Sequence, residues 1–254
     1  MAHKTLINGT TYDISGGREL VNGTGYTKKK GRVLVNGTGY DIPFSNGIPI
    51  GTLPVGSVVK IGVNGKSYDF LVVNQGIPSN SSLYDSSCDG TWLLIKDRYK
   101  TGSWGTGYAA QYGYEKSGIL RVQKTMFDEI DEPVRSSIKD VKIPYYSEWY
   151  SLKTGANGLQ VKTFDLSLRE VSDVDPGHKD GAKLSYFSSG IDMDYWWLRT
   201  PYDISNGQIA YAVQYQGNVS TSPVQSGHAC RTAFILPSTF PVIQNPDGTY
   251  SPAA

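Results

Sequence analysis

The chain has 254 residues, 24 Lys and Arg against 23 Asp and Glu, and a formal charge of +1, so no charge footprint points to nucleic acid or an anionic membrane. Its 29 glycines and 18 tyrosines, with only 19% charged residues, fit a β protein rich in turns. Tyrosine at that density serves equally as a strand former and as rotor-poor contact area on a binding surface.

The chain opens on Met1-Ala2-His3-Lys4-Thr5 with no signal peptide, and nothing later is apolar for long enough to span a bilayer, so synthesis in a reducing cytoplasm is expected. A repeat follows at once. Leu6-Ile7-Asn8-Gly9-Thr10-Thr11-Tyr12 recurs as Leu20-Val21-Asn22-Gly23-Thr24-Gly25-Tyr26 and again as Leu34-Val35-Asn36-Gly37-Thr38-Gly39-Tyr40. Asn-Gly tolerates the positive φ of a type I′ turn, so each unit reads as a short β-hairpin with Asn-Gly at its tip. A lone hairpin is barely stable, so residues 1–44 are expected to dock on partner subunits. Residues 45–54, rich in Gly and Pro, read as a linker.

From Val55 the pattern changes. Val58 to Val63, Asn64-Gly65 and Lys66 to Val73 predict a longer hairpin, and Trp92 to Lys96 a buried strand. A glycine-rich loop from Thr101 to Gly113 carries Trp104, a candidate exposed aromatic. Ser117 can cap a helix bearing Leu120, Met126, Phe127 and Ile130; Pro133 breaks it and suits the start of a second, with Val134 and Ile138. Ser167-Leu168-Arg169-Glu170 matches a capping box. Lys153 to Gly158 reads as a turn and Asp173 to Gly181 as a polar loop. Hairpins, helices and late strands in this order predict an α+β domain over 55–238, with 239–254 as a tail.

Residues for chemistry are sparse. His3, His178 and His228 are too scattered for a metal site or a triad, and Cys88 and Cys230 fit no metal or redox spacing. Asp173, Asp175 and Asp180 lack EF-hand spacing. Asp192 and Asp194, or the acids from Asp128 to Glu132, read as solvated faces or caps rather than glycosidase carboxylates. Arg199 and Arg231 read as structural, each fork holding a carboxylate or carbonyls at the end of a core strand. The expectation is a protein that is no enzyme and takes no metal or cofactor.

The late part carries a recognisable pattern. Trp196-Trp197-Leu198-Arg199-Thr200-Pro201, then Ala210-Tyr211-Ala212-Val213, Gln216-Gly217-Asn218-Val219 and Arg231-Thr232-Ala233-Phe234-Ile235-Leu236 resembles the C-type-lectin-like domains of phage and bacterial surface proteins. The same fold underlies the variable proteins of diversity-generating retroelements and, more distantly, the formylglycine-generating enzymes. Thr200, Ala229 and Thr232 stand where that pattern has serine, glycine and proline. The resemblance implies a C-type-lectin-like fold over Val55 to Pro237, free of calcium here because the calcium-ligand motifs are absent. The Asn-Gly-Thr repeats resemble the start of tailed-phage structural proteins. Together these imply a virion protein and homo-oligomer, attached to other virion proteins through 1–44, that binds a host-surface glycan or protein. A capsid or tail decoration protein without a ligand is the alternative. By position, the resemblance marks Tyr202, Asp203, Ser205, Asn206, Gln208, Gln214, Gln216, Asn218, Ser220, Thr221, Gln225 and His228 as ligand-binding, on a hairpin turned by Gln216-Gly217-Asn218.

Overall fold

The computed structural model describes residues 3–7, 10–14, 19–21, 24–26, 30–35, 38–43, 47–190, 194–202 and 207–253, with backbone alone before residue 44 and at Ser81. The chain divides into two compact units, one ending at Gly47 and the other spanning Ile48–Pro252.

The first unit contains three antiparallel strand pairs. His3–Ile7 pairs with Thr10–Ile14, Glu19–Val21 with Thr24–Tyr26, and Lys30–Val35 with Thr38–Pro43. Each register leaves two residues between the strands. Those residues, Asn8-Gly9, Asn22-Gly23 and Asn36-Gly37, lie outside the described residues, as does any test of their turn type.

The second unit is built on an eight-stranded sheet. Its order is Thr163–Phe164, Ala233–Leu236, Thr91–Ile95, Lys66–Gln75, Val58–Val63, Tyr250–Pro252, Pro241–Gln244 and Ile48–Pro49. The central strands are apolar on both faces because both are covered. On one face Leu71, Val73, Trp92, Leu94 and Ile235 join a core with Trp104, Trp196 and Trp197. On the other, Phe70, Val72, Leu93, Ile95 and Phe234 meet Met126, Ile130, Val134 and Ile138. A five-stranded sheet, ordered Lys100–Gly102, His228–Cys230, Trp196–Pro201, Ile209–Val213 and Val219–Pro223, contributes to the first of these cores.

The α+β expectation is corrected by this architecture, which is mainly β, with large curled sheets. The helix starts are where the caps place them: Ser117 Oγ accepts from Leu120 N at 3.2 Å, and Ser167 and Glu170 close a full capping box. A cap fixes a beginning and not a length, however. Of the α-helices among the described residues, only Gly118–Glu129 runs beyond about one turn; Val134–Ser137 and Leu168–Val171 have four residues each. Stretches without a strand signal of their own pair as strands, Val141–Ile143 with Leu159–Val161 and, between them, Tyr145–Ser147 with Ser151–Lys153. The latter turns through Trp149 and Tyr150, both at φ 58°. That left-handed geometry costs a non-glycine residue about 1–2 kcal/mol.

Two boundaries also differ from the sequence reading. From Ile48 the expected linker belongs to the fold: Ile48–Pro49 pairs with Pro241–Val242, and Ile50 and Leu53 are buried. The expected tail supplies two strands, Pro241–Gln244 and Tyr250–Pro252. Neither segment is apolar enough to announce a strand alone, and each acquires its conformation from its neighbour in the sheet.

A buried polar spine ties the irregular segments to the five-stranded sheet. Between Trp197 and Pro201 the strand bulges out of register with Ile209–Val213, which swings Arg199 and Thr200 toward residues 165–180. Arg199 makes paired 2.6 Å bonds to Glu170 and donates to the carbonyls of Pro144, Asp165 and Asp180. Thr200 Oγ1 donates to Asp180 at 2.6 Å and accepts from Leu168 N. Arg231 donates Nε to Ile95 O and lies over the Trp196 ring at 5.0 Å. Both arginines are fully buried, in the structural role their sequence context implies.

Candidate functional site

Strand register decides which candidates share a surface. Trp197 lies opposite Ala212, and Ala212 opposite Ser220; Trp196 lies opposite Val213, and Tyr211 opposite Thr221. Alternation along a strand therefore puts Trp197, Ala212, Ser220 and Ser222 on one face and Trp196, Tyr211, Val213 and Thr221 on the other. The expected single surface is divided between two aromatic clusters, one on each face.

On the first face, Ser222 Oγ lies 2.7 Å from His228 Nε2, and the His228 ring meets Tyr195 at 4.0 Å and Trp197 at 4.5 Å. Tyr195 stacks on Tyr215, centroids 5.3 Å apart and planes 14° from parallel. Arg98, paired with Asp194, lies over the Tyr215 ring at 5.3 Å. Tyr215 is 64% exposed because it has left the strand for the turn. Gln214 N donates to Asn218 O and Gly217 N to Gln214 O, so the turn spans Gln214–Asn218, earlier than the sequence predicts. Gly217, at φ 73°, supplies the left-handed position. Gln216 and Asn218 are exposed on this turn, and Gln214 and Ser220 are half-buried beside it. Burial, then the Arg98 cation, pulls the His228 imidazole below its usual pKa, so it is neutral at pH 7.

On the second face, Tyr211 packs edge-on against His178 at 5.1 Å and meets the tilted Tyr202 ring at 5.6 Å. His178 donates Nε2–H to Tyr202 O at 2.9 Å, and its Nδ1 is 3.3 Å from Asp175 Oδ2. Asp175 also accepts from Tyr211 OH at 2.7 Å, which holds its carboxyl below the usual range. Thr221 is half-buried on this face, while Gln208 and Gln225 are exposed on the connecting loops. Asp203, Ser205 and Asn206 lie outside the described residues, as does Asp192.

The remaining candidates for chemistry are occupied structurally. Cys88 and Cys230 are both free thiols and buried. Burial pushes the Cys88 thiol up to about 12 and raises Cys230 as well, so neither is a thiolate nucleophile at neutral pH. Trp104, the candidate for an exposed aromatic, is instead fully buried and donates to Leu198 O at 3.2 Å. Asp173 pairs with Arg169 and Lys183, Asp175 with Tyr211, and Asp180 with Thr200, so the three loop acids point to different partners. Among the described residues, no group of His, Cys, Asp and Glu is placed to hold a metal, and no helix is long and apolar enough to cross a membrane. A groove of about 520 Å³ runs beside Phe127, Asp128, Asp140, Gln160 and Lys162, and none of the twelve candidates lines it.

Sequence reasoning did not single out Tyr195, Tyr215 or Arg98. A turn tyrosine just before Gln-Gly is a usable signal for exposure, but Arg98 and Asp194 meet across 96 positions that nothing local connects.

Fold and site together define a mainly β domain that displays aromatic and amide side chains at the end of a small sheet. Residues 89–238 match the family model of a domain of unknown function, DUF6273, and the chain belongs to that family. No curated protein and no solved structure matches the chain.

Proposed function

We propose that the Ile48–Pro252 unit is a non-catalytic recognition module whose ligand is a host-surface glycan or protein. It binds through the turn between Ile209–Val213 and Val219–Pro223 and adopts a C-type-lectin-like arrangement. On this reading the N-terminal strand pairs join it to other proteins of a phage virion, as its sequence resemblances imply. The observation that carries the reading is the exposed Tyr215, braced by Tyr195 and Arg98 and flanked by Gln214, Gln216 and Asn218. Rigid aromatic anchors among adaptable amides are the composition of a binding surface. The histidine beside them, His228, is held by Ser222 Oγ at 2.7 Å and packed between Tyr195 and Trp197, which on this reading orders the surface.

The test replaces Tyr215, Gln216 and Asn218 with alanine together and measures attachment of the particle or purified protein to host cells. Attachment should fall at least tenfold with Tm and particle incorporation unchanged. Intact attachment would refute the assignment, and loss of incorporation instead would favour the decoration role.

A further inference from the structure

The two larger sheets end in four edge strands, and three of them are guarded. Thr163–Phe164 and Ile48–Pro49 have two residues each; Thr163 is tied to Gln123 O of the long helix at 2.8 Å, and the other ends in proline. Lys100–Gly102 has three residues and carries a lysine. Short strands, lysine and proline are common defences of an edge against pairing with another chain. Val219–Pro223 differs. It ends the five-stranded sheet with five residues, and no Asp, Glu, Lys or Arg occurs from Ile204 to Cys230. Register fixes which of its backbone groups face outward. Gln214 N donates to Asn218 O and Val224 N to Gln208 O, both at 2.8 Å, and these two pairs bracket the ladder. Bonded and unbonded pairs alternate between antiparallel strands. Ser220 and Ser222 therefore turn their N–H and C=O toward Ile209–Val213, while Val219, Thr221 and Pro223 turn theirs away. Pro223 has no N–H, and its carbonyl accepts from Ser226 N at 2.9 Å. Four outward groups remain, the N–H and C=O of Val219 and of Thr221, without a partner among the described residues.

The spacing of those four groups chooses the occupant. A two-fold axis through Ser220 sets Val219 opposite the partner's Thr221 and Thr221 opposite the partner's Val219, and all four groups are then satisfied. An axis through Thr221 would instead set Val219 against the partner's Pro223, which has no N–H to give. At the Ser220 axis the two serines form an unbonded pair, with Cα atoms ~4.5 Å apart, and so small a side chain offers no obstruction. No like charge opposes the approach. The strand is also held in shape beforehand: Ser222 Oγ lies 2.7 Å from His228 Nε2, and Val219 packs against the core. We propose that Val219–Pro223 pairs antiparallel with the same strand of a second copy, joining two five-stranded sheets into one of ten. The two Tyr215 turns leave this joined sheet at opposite ends.

Sedimentation of the full chain at concentrations up to ~1 mM, the range of a weak contact, should show its mass rising from one copy towards two. Thr221→Pro removes an outward N–H and should hold the chain at one copy. Thr221→Lys guards the edge by charge and leaves the ladder to Ile209–Val213 intact, so it should do the same even where the proline variant fails to fold. The register is read by cross-linking. Ser220→Cys brings two thiols together across the axis, with Cα atoms ~4.5 Å apart and within disulfide reach, while Cys88 and Cys230 stay buried. Under mild oxidation it should cross-link at least tenfold faster than Thr221→Cys, whose two copies lie out of register. Equal rates for the two cysteine variants, or self-association that persists in Thr221→Lys, would overturn the proposal. A chain that stays monomeric at ~1 mM would also overturn it, and would leave this edge to a strand of a different protein.

Discussion

Arg199 joins the carbonyls of Pro144, Asp165 and Asp180 to the carboxylate of Glu170, all without solvent. Glu170 receives further bonds from Tyr84 OH and Ser167 N, so its charge is compensated only while the whole spine is present. Removing one partner of such a pair strands the other in low dielectric. Arg199→Met should therefore cost about 3–5 kcal/mol in denaturant unfolding, and adding Glu170→Leu should recover part of that loss. One guanidinium also serves more carboxylates than it can neutralise. Burial raises Asp180 and lifts Asp165 to about 7, even though Tyr114 and Gln123 both donate to Asp165. A carboxyl whose folded pKa is raised keeps a proton that the unfolded chain has released. Its contribution to stability is full below the unfolded value near 4 and disappears as pH rises through about 7. The stability difference between pH 5 and pH 8 should thus shrink by roughly 2 kcal/mol in Asp165→Asn; an unchanged difference would remove Asp165 from the account.

The capping box at Ser167 opens a helix of only four residues, yet it places Glu170 for the spine, so its effect exceeds its length. Ser167→Ala should lower stability by about 1 kcal/mol with the far-UV spectrum nearly unchanged, since so little helix depends on it. The same element shows where the sequence was readable. Caps, the apolar run Thr91–Ile95 and the Val58–Gln75 hairpin are local signals, and each forms at or near its expected place. What governs the fold class is not local: one-turn helices and pairs such as Ile48–Pro49 with Pro241–Gln244 depend on partners far along the chain. The division of the binding candidates has the same origin. Positions around Tyr211 and Ser220 follow the expected alternation, but the spectrum of exposed and buried residues depends on what covers each face. With both faces covered, Ala210 through Val213 are all buried, and the exposed tyrosine, Tyr215, is the one that leaves the strand.

At the scale of the whole molecule, the boundary between the two units falls at Gly47, before the expected linker ends. Gln75 Nε2 donates to the carbonyls of Ile50 and Leu53, both at 3.0 Å, while Ile50 N and Gly51 N donate to Phe240 O and Ser238 O. Gly51 has no room for a side chain, since a Cβ there would stand 2.5 Å from that of Ser238. The segment thus locks the late strands to the sheet and belongs to the larger unit. Two truncations separate this boundary from one at residue 54. A chain of residues 48–254 should unfold cooperatively at the denaturant midpoint of the full protein's larger unit. A chain of residues 55–254 loses the buried side chains of Ile50 and Leu53, worth about 1.5–3 kcal/mol each, and leaves Gln75 without its acceptors. It should be less stable by about 3–6 kcal/mol on that count, with the Pro241–Gln244 strand protected least in hydrogen exchange. Equal midpoints for the two truncations would return 48–54 to the role of a linker, and failure of 48–254 to fold would make the N-terminal strand pairs part of the same cooperative unit.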